Sequence, residues 1–515
     1  MRTLPGVLAA RAAEQPHRVA VRHGARTLTF ADWAARSASV ARALLDRGLR
    51  TGQRVALPFA GGEWIDYAVA YCGVLAAGGV AVPVNDRLAR AEVRHVLEHS
   101  AAVGVVHGRD LVPPEGGFWV LPFEGLDTGP GGPLPEPAPG DLAQLLYTSG
   151  TTGQPKAVAA THGNLTHGFA TDPRRRPLGH SEHFLHAFPI GTNAGQNMLL
   201  NALDARASAL VLGRFTPGRF ARLIAEYEVG SVFVVPAMAM ELLSARAHER
   251  HDLSSVLLLG STAAALPPAV ARELSDALPN ATIVNYYTST EAAPAQTTMV
   301  FDPDRPTSLG RPATGGLRIA GPDGTPLPAG QVGEVWLRSP VPRAYHRDPD
   351  ATAEVFRAGW VRMGDLGFLD PDGYLHLVDR DSDVVKSGAF KVSTLQVEAA
   401  LHEHPEVGEA AVFGVEHPVL GTVLAAAIVP RPPTADRAGD GAGLPAAGPD
   451  DTGVDPAVAA EGLTLRALRG FLTDRLAEHE LPTRLLLLDA LPRNAGGKVL
   501  KRELRTLLPE REPRR

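Results

Sequence analysis

"SVFVVPAMAMELLSARA" spans Ser231–Ala247, and "SSVLLLGS" follows at Ser254–Ser261. A short β-branched run, a helical stretch and a second apolar run stand in succession, which reads as strand, helix, strand. Outward from here the pattern recurs. "RVALPF" (54–59) precedes the helix-like "EWIDYAVAYCGVLAAG"; "VAVPVN" (80–85) precedes "RAEVRHVLEHS", and "AVGVVHG" follows it. Strands that alternate with helices imply the α/β class with largely parallel sheets. After residue 310 the texture changes to "GLRIAGPDGTPLPAGQVGEVWLRS", where Gly/Pro turns separate short strands as in a small β-rich subdomain. Further on, 431–462 is rich in Pro, Gly, Ala and Asp and reads as a flexible surface insertion between the strand "VLAAAIVP" and the helix "LTLRALRGFLTDRLA".

The whole chain sets bounds on function. Its 515 residues allow two to four domains, and 44% apolar with 21% charged residues is a globular composition. A net charge of -6 argues against a nucleic-acid or membrane-surface binder. Cys72 is the one cysteine, which excludes an intramolecular disulfide and a cysteine-cluster metal site and leaves a small core residue. The N-terminal "MRTLPGVLAARAAEQPHRVAV" reads as an amphipathic helix leading to a strand, not as a signal peptide. No run of about 18 apolar residues suggests a membrane span, so the cytoplasm is the expected location.

One stretch concentrates small polar residues. "YTSGTTGQPKAV" (Tyr147–Val158) follows the apparent strand "DLAQLLYTS" and leads to the apparent helix "THGNLTHGF". Gly150 and Gly153 let the backbone turn its N–H groups inward, Thr148, Ser149, Thr151 and Thr152 add hydroxyl donors, and Lys156 adds positive charge. Those are the components of a phosphate cradle. The spacing is not that of the G-x-x-x-x-G-K-[ST] loop, because no Ser or Thr follows Lys156.

Tyr147–Lys156 resembles the phosphate-loop signature of the acyl-adenylate-forming superfamily, which includes acyl-CoA ligases, peptide-synthetase adenylation domains and luciferases. Four further stretches match in order: "YTSTE" (287–291), "MGDLGFLDPDGYLHLVDR" (363–380), "VKSGAFKVSTLQVE" (385–398) and "PRNAGGKVLKREL" (492–504). The texture of 363–430 is most like a free-standing acyl-CoA synthetase. The resemblance implies a large N-terminal portion, 1–380, with parallel-rich sheets and a small β-subdomain. A small mobile α+β domain, 381–515, would then rotate about a hinge between half-reactions.

By the same resemblance, the 149–156 loop holds the β- and γ-phosphates of ATP, Thr290 bonds the α-phosphate, and Glu291 holds Mg2+, a hard cation that favours oxygen ligands. Tyr287 would stack on adenine, with Asn285, Gly260 and Ser261 near its edge. Asp365 would take both ribose hydroxyls, as a two-oxygen acceptor can, and Arg380 would also reach the ribose. Lys498 would bridge the incoming carboxylate and the nucleotide. Lys386 and its loop would line the channel for the thiol, whether CoA or the phosphopantetheine of a separate carrier protein. A monomer or homodimer acting on a small carboxylic acid is the expected form.

The pattern also departs from the family. Thr288 stands where the motif has Gly, and Tyr286 stands where Gly or Ala is common, so the acid pocket should be shortened. Ile190, Gly191 and Thr192 replace a frequent Phe-His pair. Asn193 stands where amino-acid-activating relatives have an Asp, which disfavours an α-amino acid, since an amide cannot pair with an ammonium as a carboxylate does. Asn193, Asn197 and Gln196 are candidates to bond a neutral polar group on the acid, or else are helix-start and packing residues. Ser382 takes the usual place of the hinge Asp or Lys. "DPRRRP" (172–177) reads as a solvated loop or as a contact for the 3′-phosphate of CoA or an acidic carrier.

Overall fold

The computed structural model describes residues 2–111, 116–127, 133–148, 155–312, 315–380, 383–387, 390–417, 421–431, 463–494 and 497–508, with the backbone alone at 380, 386–387 and 390–391. Two large sheets form the body. The first has eight strands, and its six inner strands run parallel in the order Thr282–Tyr287, Leu258–Ser261, Ser231–Val234, His183–His186, Ser208–Val211 and Val19–His23. Thr297–Val300 and Arg26–Thr29 close its edges antiparallel. Every residue of Ser231–Val234 and Ser208–Val211 is buried, which is why these strands read as continuous apolar runs.

The second sheet has seven strands, with a parallel centre of Leu142–Thr148, Val80–Val84, Arg54–Pro58, Ala102–His107 and Trp119–Pro122. The helix Trp64–Ala76, between strands of this sheet in sequence, is buried nearly all round, Cys72 included. At Gly73 a Cβ would lie 2.6 Å from Val40 Cγ1, so only glycine lets the helix Phe30–Asp46 come this close.

The strand–helix–strand reading holds for each segment quoted for it. It fails after the polar loop. There Lys156–Thr161 forms a strand antiparallel to Leu142–Thr148, and the helix His162–Leu165 comes only after it. The Ala-rich "KAVAAT" has weak strand propensity of its own. Pairing with Leu142–Thr148 on one side and Ala344–Tyr345 on the other overrides it.

The β-rich texture after residue 310 is a five-stranded antiparallel sheet of Leu317–Ala320, Gly333–Arg338, Trp360–Leu369, Phe356–Arg357 and Leu375–Arg380. Beyond it come the hairpin Val385–Ser387 with Phe390–Val392 and the three-stranded sheet of Val407–His417, Gly421–Pro430 and Arg484–Leu487. The helices Thr394–His402, Leu465–Leu472 and Lys501–Leu507 accompany that sheet, with apolar cores separate from the main one. At the junction, the Ser393 hydroxyl donates to the Val378 carbonyl and the Thr394 N–H donates to the Asp379 carboxylate. A second tie is the ion pair of Arg431 with Glu273 at 3.4 Å.

The arginine run is not uniformly solvated. Arg176 is buried and pairs with Glu14 at 2.7 Å and Asp204 at 4.0 Å, while Arg174 and Arg175 are exposed. Most of 431–462 lies outside the described residues.

Candidate active site

Ligands of open α/β sheets bind outside the carboxyl ends of the strands. In the eight-stranded sheet these ends align: Val234 lies opposite Ser261, and Ser261 opposite Asn285. Ser261 Oγ and Asn285 Oδ1 are buried and have no hydrogen-bond partner among the described residues. An unbonded buried polar atom costs about 1–3 kcal/mol, so this edge suits a polar ligand that would satisfy both. Two residues along, the Tyr287 hydroxyl donates to Asp365 Oδ2 at 2.6 Å. Asp365 stands on the strand Trp360–Leu369, opposite Arg380 in the antiparallel ladder, and just after Gly364, whose φ of +73 favours glycine. The structure thus joins the two residues read as the adenine platform and the ribose acceptor.

A second group of charges lies around Glu291. The Tyr345 hydroxyl donates to Glu291 Oε1 at 2.9 Å. Lys156 Nζ lies 5.2 Å from the centroid of the Tyr345 ring and 3.5 Å from Asp348 Oδ2. Burial, then the Glu291 charge, pushes the Tyr345 phenol above its ordinary value, so it remains a donor. Buried Arg343 donates from Nη1 to the Thr290 carbonyl at 2.9 Å, and burial pushes its guanidinium down to about 10. Among the described residues no three His, Cys, Asp or Glu side chains cluster as a metal cage. A hard dication at Glu291 would therefore take phosphate oxygens and water as its other ligands, which is how Mg2+ is commonly held.

Sequence reading missed Arg343, Tyr345 and Asp348. They reach the site because Ala344–Tyr345 pairs with the strand that begins at Lys156, with Tyr345 opposite Val158. Two residues carry no periodicity, and the clustered charges of "PRAYHRDPD" (342–350) were the one available cue. The Thr148 hydroxyl donates to the Lys156 carbonyl at 3.4 Å across the base of the polar loop. Ser149, Gly150, Thr151, Thr152 and Gly153 lie outside the described residues.

On the acid side, Tyr286 closes over Gly260: a Cβ on Gly260 would lie 2.5 Å from Tyr286 Cε2 and 3.0 Å from Phe233 Cδ1. The Phe233 and Tyr286 rings are 6.2 Å apart. The Thr288 hydroxyl donates to the Ala295 carbonyl at 2.7 Å. The helix Asn193–Asp204 starts at the same sheet edge, following His183–His186. The Thr192 hydroxyl caps it, accepting from Gly195 N at 3.1 Å and donating to the Pro189 carbonyl at 2.8 Å. Gln196 is buried, accepts from the Tyr67 hydroxyl at 2.8 Å and donates to the Ile190 carbonyl. Gln196 is therefore a packing residue, whereas Asn193 and Asn197, at i, i+4 spacing on the same helix, are only half-buried.

Lys498 closes a tight turn. Its N–H donates to Asn494 Oδ1 at 2.9 Å, and its carbonyl accepts from Asn494 N at 2.8 Å. A Cβ on Gly497 would lie 3.2 Å from Val235 Cγ2, so the turn rests at the carboxyl end of the strand Ser231–Val234, beside the edge that carries Ser261 and Asn285. The side chains of Arg380 and Lys386, and Ser382 altogether, lie outside the described residues.

Comparison with known proteins bears on this geometry. The model of the family described as AMP-binding enzyme matches residues 8–346, and that of the AMP-binding enzyme C-terminal domain matches 396–498. A feruloyl-CoA synthase from Amycolatopsis sp is 33% identical over 96% of this chain and 97% of its own length. A 2-succinylbenzoate–CoA ligase from Geobacillus kaustophilus is 31% identical over 99% of both chains. The crystal structure of ATP-bound MatB from Rhodopseudomonas palustris superposes with a TM-score of 0.81 at 27% identity, covering 98% of both chains.

Proposed function

The chain belongs to the AMP-binding enzyme family, and from that premise we propose a division of labour among its residues and an aromatic acid as its substrate. The enzyme is an AMP-forming acid–CoA ligase. A carboxylate oxygen attacks the α-phosphorus of ATP, the bond to the β-phosphate breaks, and pyrophosphate leaves. The thiol of CoA then attacks the acyl carbon, loses its proton and expels AMP.

Ser261, Asn285, Tyr287 and Asp365 hold the adenosine, with Arg380 at the ribose. The observation that carries this assignment is the pair of unbonded buried atoms on Ser261 and Asn285 beside the Tyr287–Asp365 bond. Lys156 and the 148–153 loop take the β- and γ-phosphates, Thr290 bonds the α-phosphate, and Glu291 would hold Mg2+, which would supply positive charge beside the phosphates. Lys498 neutralises the approaching carboxylate and the α-phosphate. Residues 1–380 hold both substrates, and 381–515 swings to admit the thiol past Lys386. The protein works in the cytoplasm as a monomer or homodimer.

The acid pocket is bordered by Gly260, Tyr286, Thr192, Asn193, Asn197 and Thr288. The Tyr286 ring over Gly260 shortens it, which disfavours a long straight chain and suits a flat ring. Asn193 and Asn197 bond a hydroxyl or carbonyl on that ring. The feruloyl and succinylbenzoate acids named for two relatives are of this aryl kind. Acid-dependent ATP–pyrophosphate exchange across aliphatic, aryl and amino acids tests the proposal. Exchange should be strongest with aryl acids such as ferulate, and strongest exchange with a long-chain fatty acid or an α-amino acid would overturn it. Robust exchange followed by poor turnover with CoA would instead move the acceptor to a separate carrier protein.

A further inference from the structure

Arg493 is not among the residues assigned above, yet its side chain spans the base of the Lys498 turn. Nη1 donates to the Gly497 carbonyl at 2.7 Å, the peptide that leads directly into Lys498. Nη2 pairs with Glu409 Oε2 at 2.5 Å, on the strand Val407–His417. Both groups are about three-quarters buried or more, at 24% and 17% side-chain exposure, so the pair is far less screened than a surface one. Arg493 also bridges Val499 through the backbone, which brings the two arms of the turn side by side. A planar guanidinium can reach a carbonyl and a carboxylate at fixed angles at once. The turn is thereby braced against the three-stranded sheet rather than left to its own backbone bonds.

A second observation ties this brace to one arrangement of the two portions. Glu241, on the helix Pro236–Ser244 of the N-terminal portion, lies within electrostatic range of Glu409 and Arg493. Burial, then the Glu409 charge, raises its carboxyl above the ordinary value, and Arg493 opposes that rise. The guanidinium is therefore the cation common to two carboxylates that face each other across the junction. Without it, Glu241 and Glu409 would repel just where Gly497 rests on Val235.

We infer that Arg493 is a positioning residue for adenylation: it fixes the peptide before Lys498 and holds the turn against the strand ends only in this arrangement. The inference rests on the assignment of Lys498 above, and the test keeps the two apart. Arg493→Ala, Arg493→Lys and Lys498→Ala are compared with wild type in three measurements. These are ATP–pyrophosphate exchange with ferulate (or the acid wild type exchanges fastest), CoA-dependent consumption of the synthetic acyl-adenylate, and the thermal midpoint. Arg493→Ala should lose about 10- to 100-fold in exchange, as a misplaced catalytic group does, while adenylate consumption stays near wild type and the midpoint falls by only a few degrees as Glu409 loses its partner. Arg493→Lys should recover only part, because one ammonium cannot reach both acceptors in the same geometry.

Equal losses in both half-reactions with a lowered midpoint would make Arg493 merely structural and overturn the inference. Unchanged exchange in Arg493→Ala beside a crippled Lys498→Ala would overturn it too, as would full recovery in Arg493→Lys. Wild-type exchange in Lys498→Ala would bring down the Lys498 assignment instead.

Discussion

The proposed adenosine side and the proposed phosphate side of the site are built differently. On the adenosine side the polar groups stand on strands and are buried: Tyr287 already bonds Asp365, and Ser261 and Asn285 point unbonded atoms into the same edge. On the phosphate side the charges are only partly buried and bond one another. Lys156 rests against Asp348, each about one-third exposed, and Glu291 accepts from Tyr345. One side is set before the nucleotide arrives, whereas the other must exchange partners as it arrives. The difference teaches where binding energy is spent: preorganised donors act on arrival, while paired charges must first be separated.

The substitutions that would break this comparison have the largest expected effects. Glu291→Gln should cut pyrophosphate exchange by about 10²-fold, as loss of a charge stabiliser does, with partial relief at raised Mg2+. An equal loss at every Mg2+ concentration would remove Glu291 from the metal. Asp365→Ala should raise KM for ATP by about 10- to 100-fold, matching the 1.5–3 kcal/mol of a hydrogen bond to a charged group, and leave KM for the acid unchanged. Tyr287→Phe sharpens the picture. It removes the bond to Asp365, so KM for ATP should rise about fivefold, in line with a net bond of about 1 kcal/mol. A rise in acid KM instead would shift Tyr287 to the acid pocket.

Asp348→Asn tests the partner exchange and should go the other way. Freeing Lys156 from a half-exposed pair worth at most about 1 kcal/mol should lower KM for ATP about twofold, and a rise would mean that Asp348 itself serves the phosphates. The smallest effect is on acid stability. Burial holds His186 at about 3 and His162 and His402 at about 4, below the ordinary 6.5. Folded pKa values lower than unfolded ones mean that stability is fully present above pH 6.5 and falls as pH drops toward 4. His186→Asn should reduce that slope by up to one proton in a chemical-denaturation series, and an unchanged slope would refute the burial account.

Much of this was legible in the sequence because it lay on long periodic elements. The strand that ends at Ser261 needed only an apolar run and its spacing, whereas Asn285 came from the motif resemblance and the helix start at Asn193 was one of two open readings. The motif resemblance supplied Tyr287, Asp365, Glu291 and Lys498, of which the fold bonds the first two to each other and sets the turn before the last against Val235. What was hidden depends on pairing between distant segments. Lys156–Thr161 is a strand because its neighbours make it one, and Ala344–Tyr345 is too short to announce that it delivers Tyr345 to Glu291. Gln196 stayed open between pocket and packing because a sequence shows no Tyr67 across the core, and Arg176 stayed open between solvated loop and anion contact because it shows neither Glu14 nor Asp204.

The bonds from Ser393 to Val378 and from Thr394 to Asp379 have a kinetic consequence. They tie the end of the strand Leu375–Arg380 to the start of the helix Thr394–His402. If the helix Thr394–His402 travels with the C-terminal portion, each swing must release the Thr394 N–H from Asp379, a carboxylate only 1% exposed. Release of such a bond adds about 1.5–3 kcal/mol to the way out, a tenfold to hundredfold longer dwell in the adenylating posture. In the proposed swing the fastening would act as an escapement, giving the acid time to react before the thiol is let in.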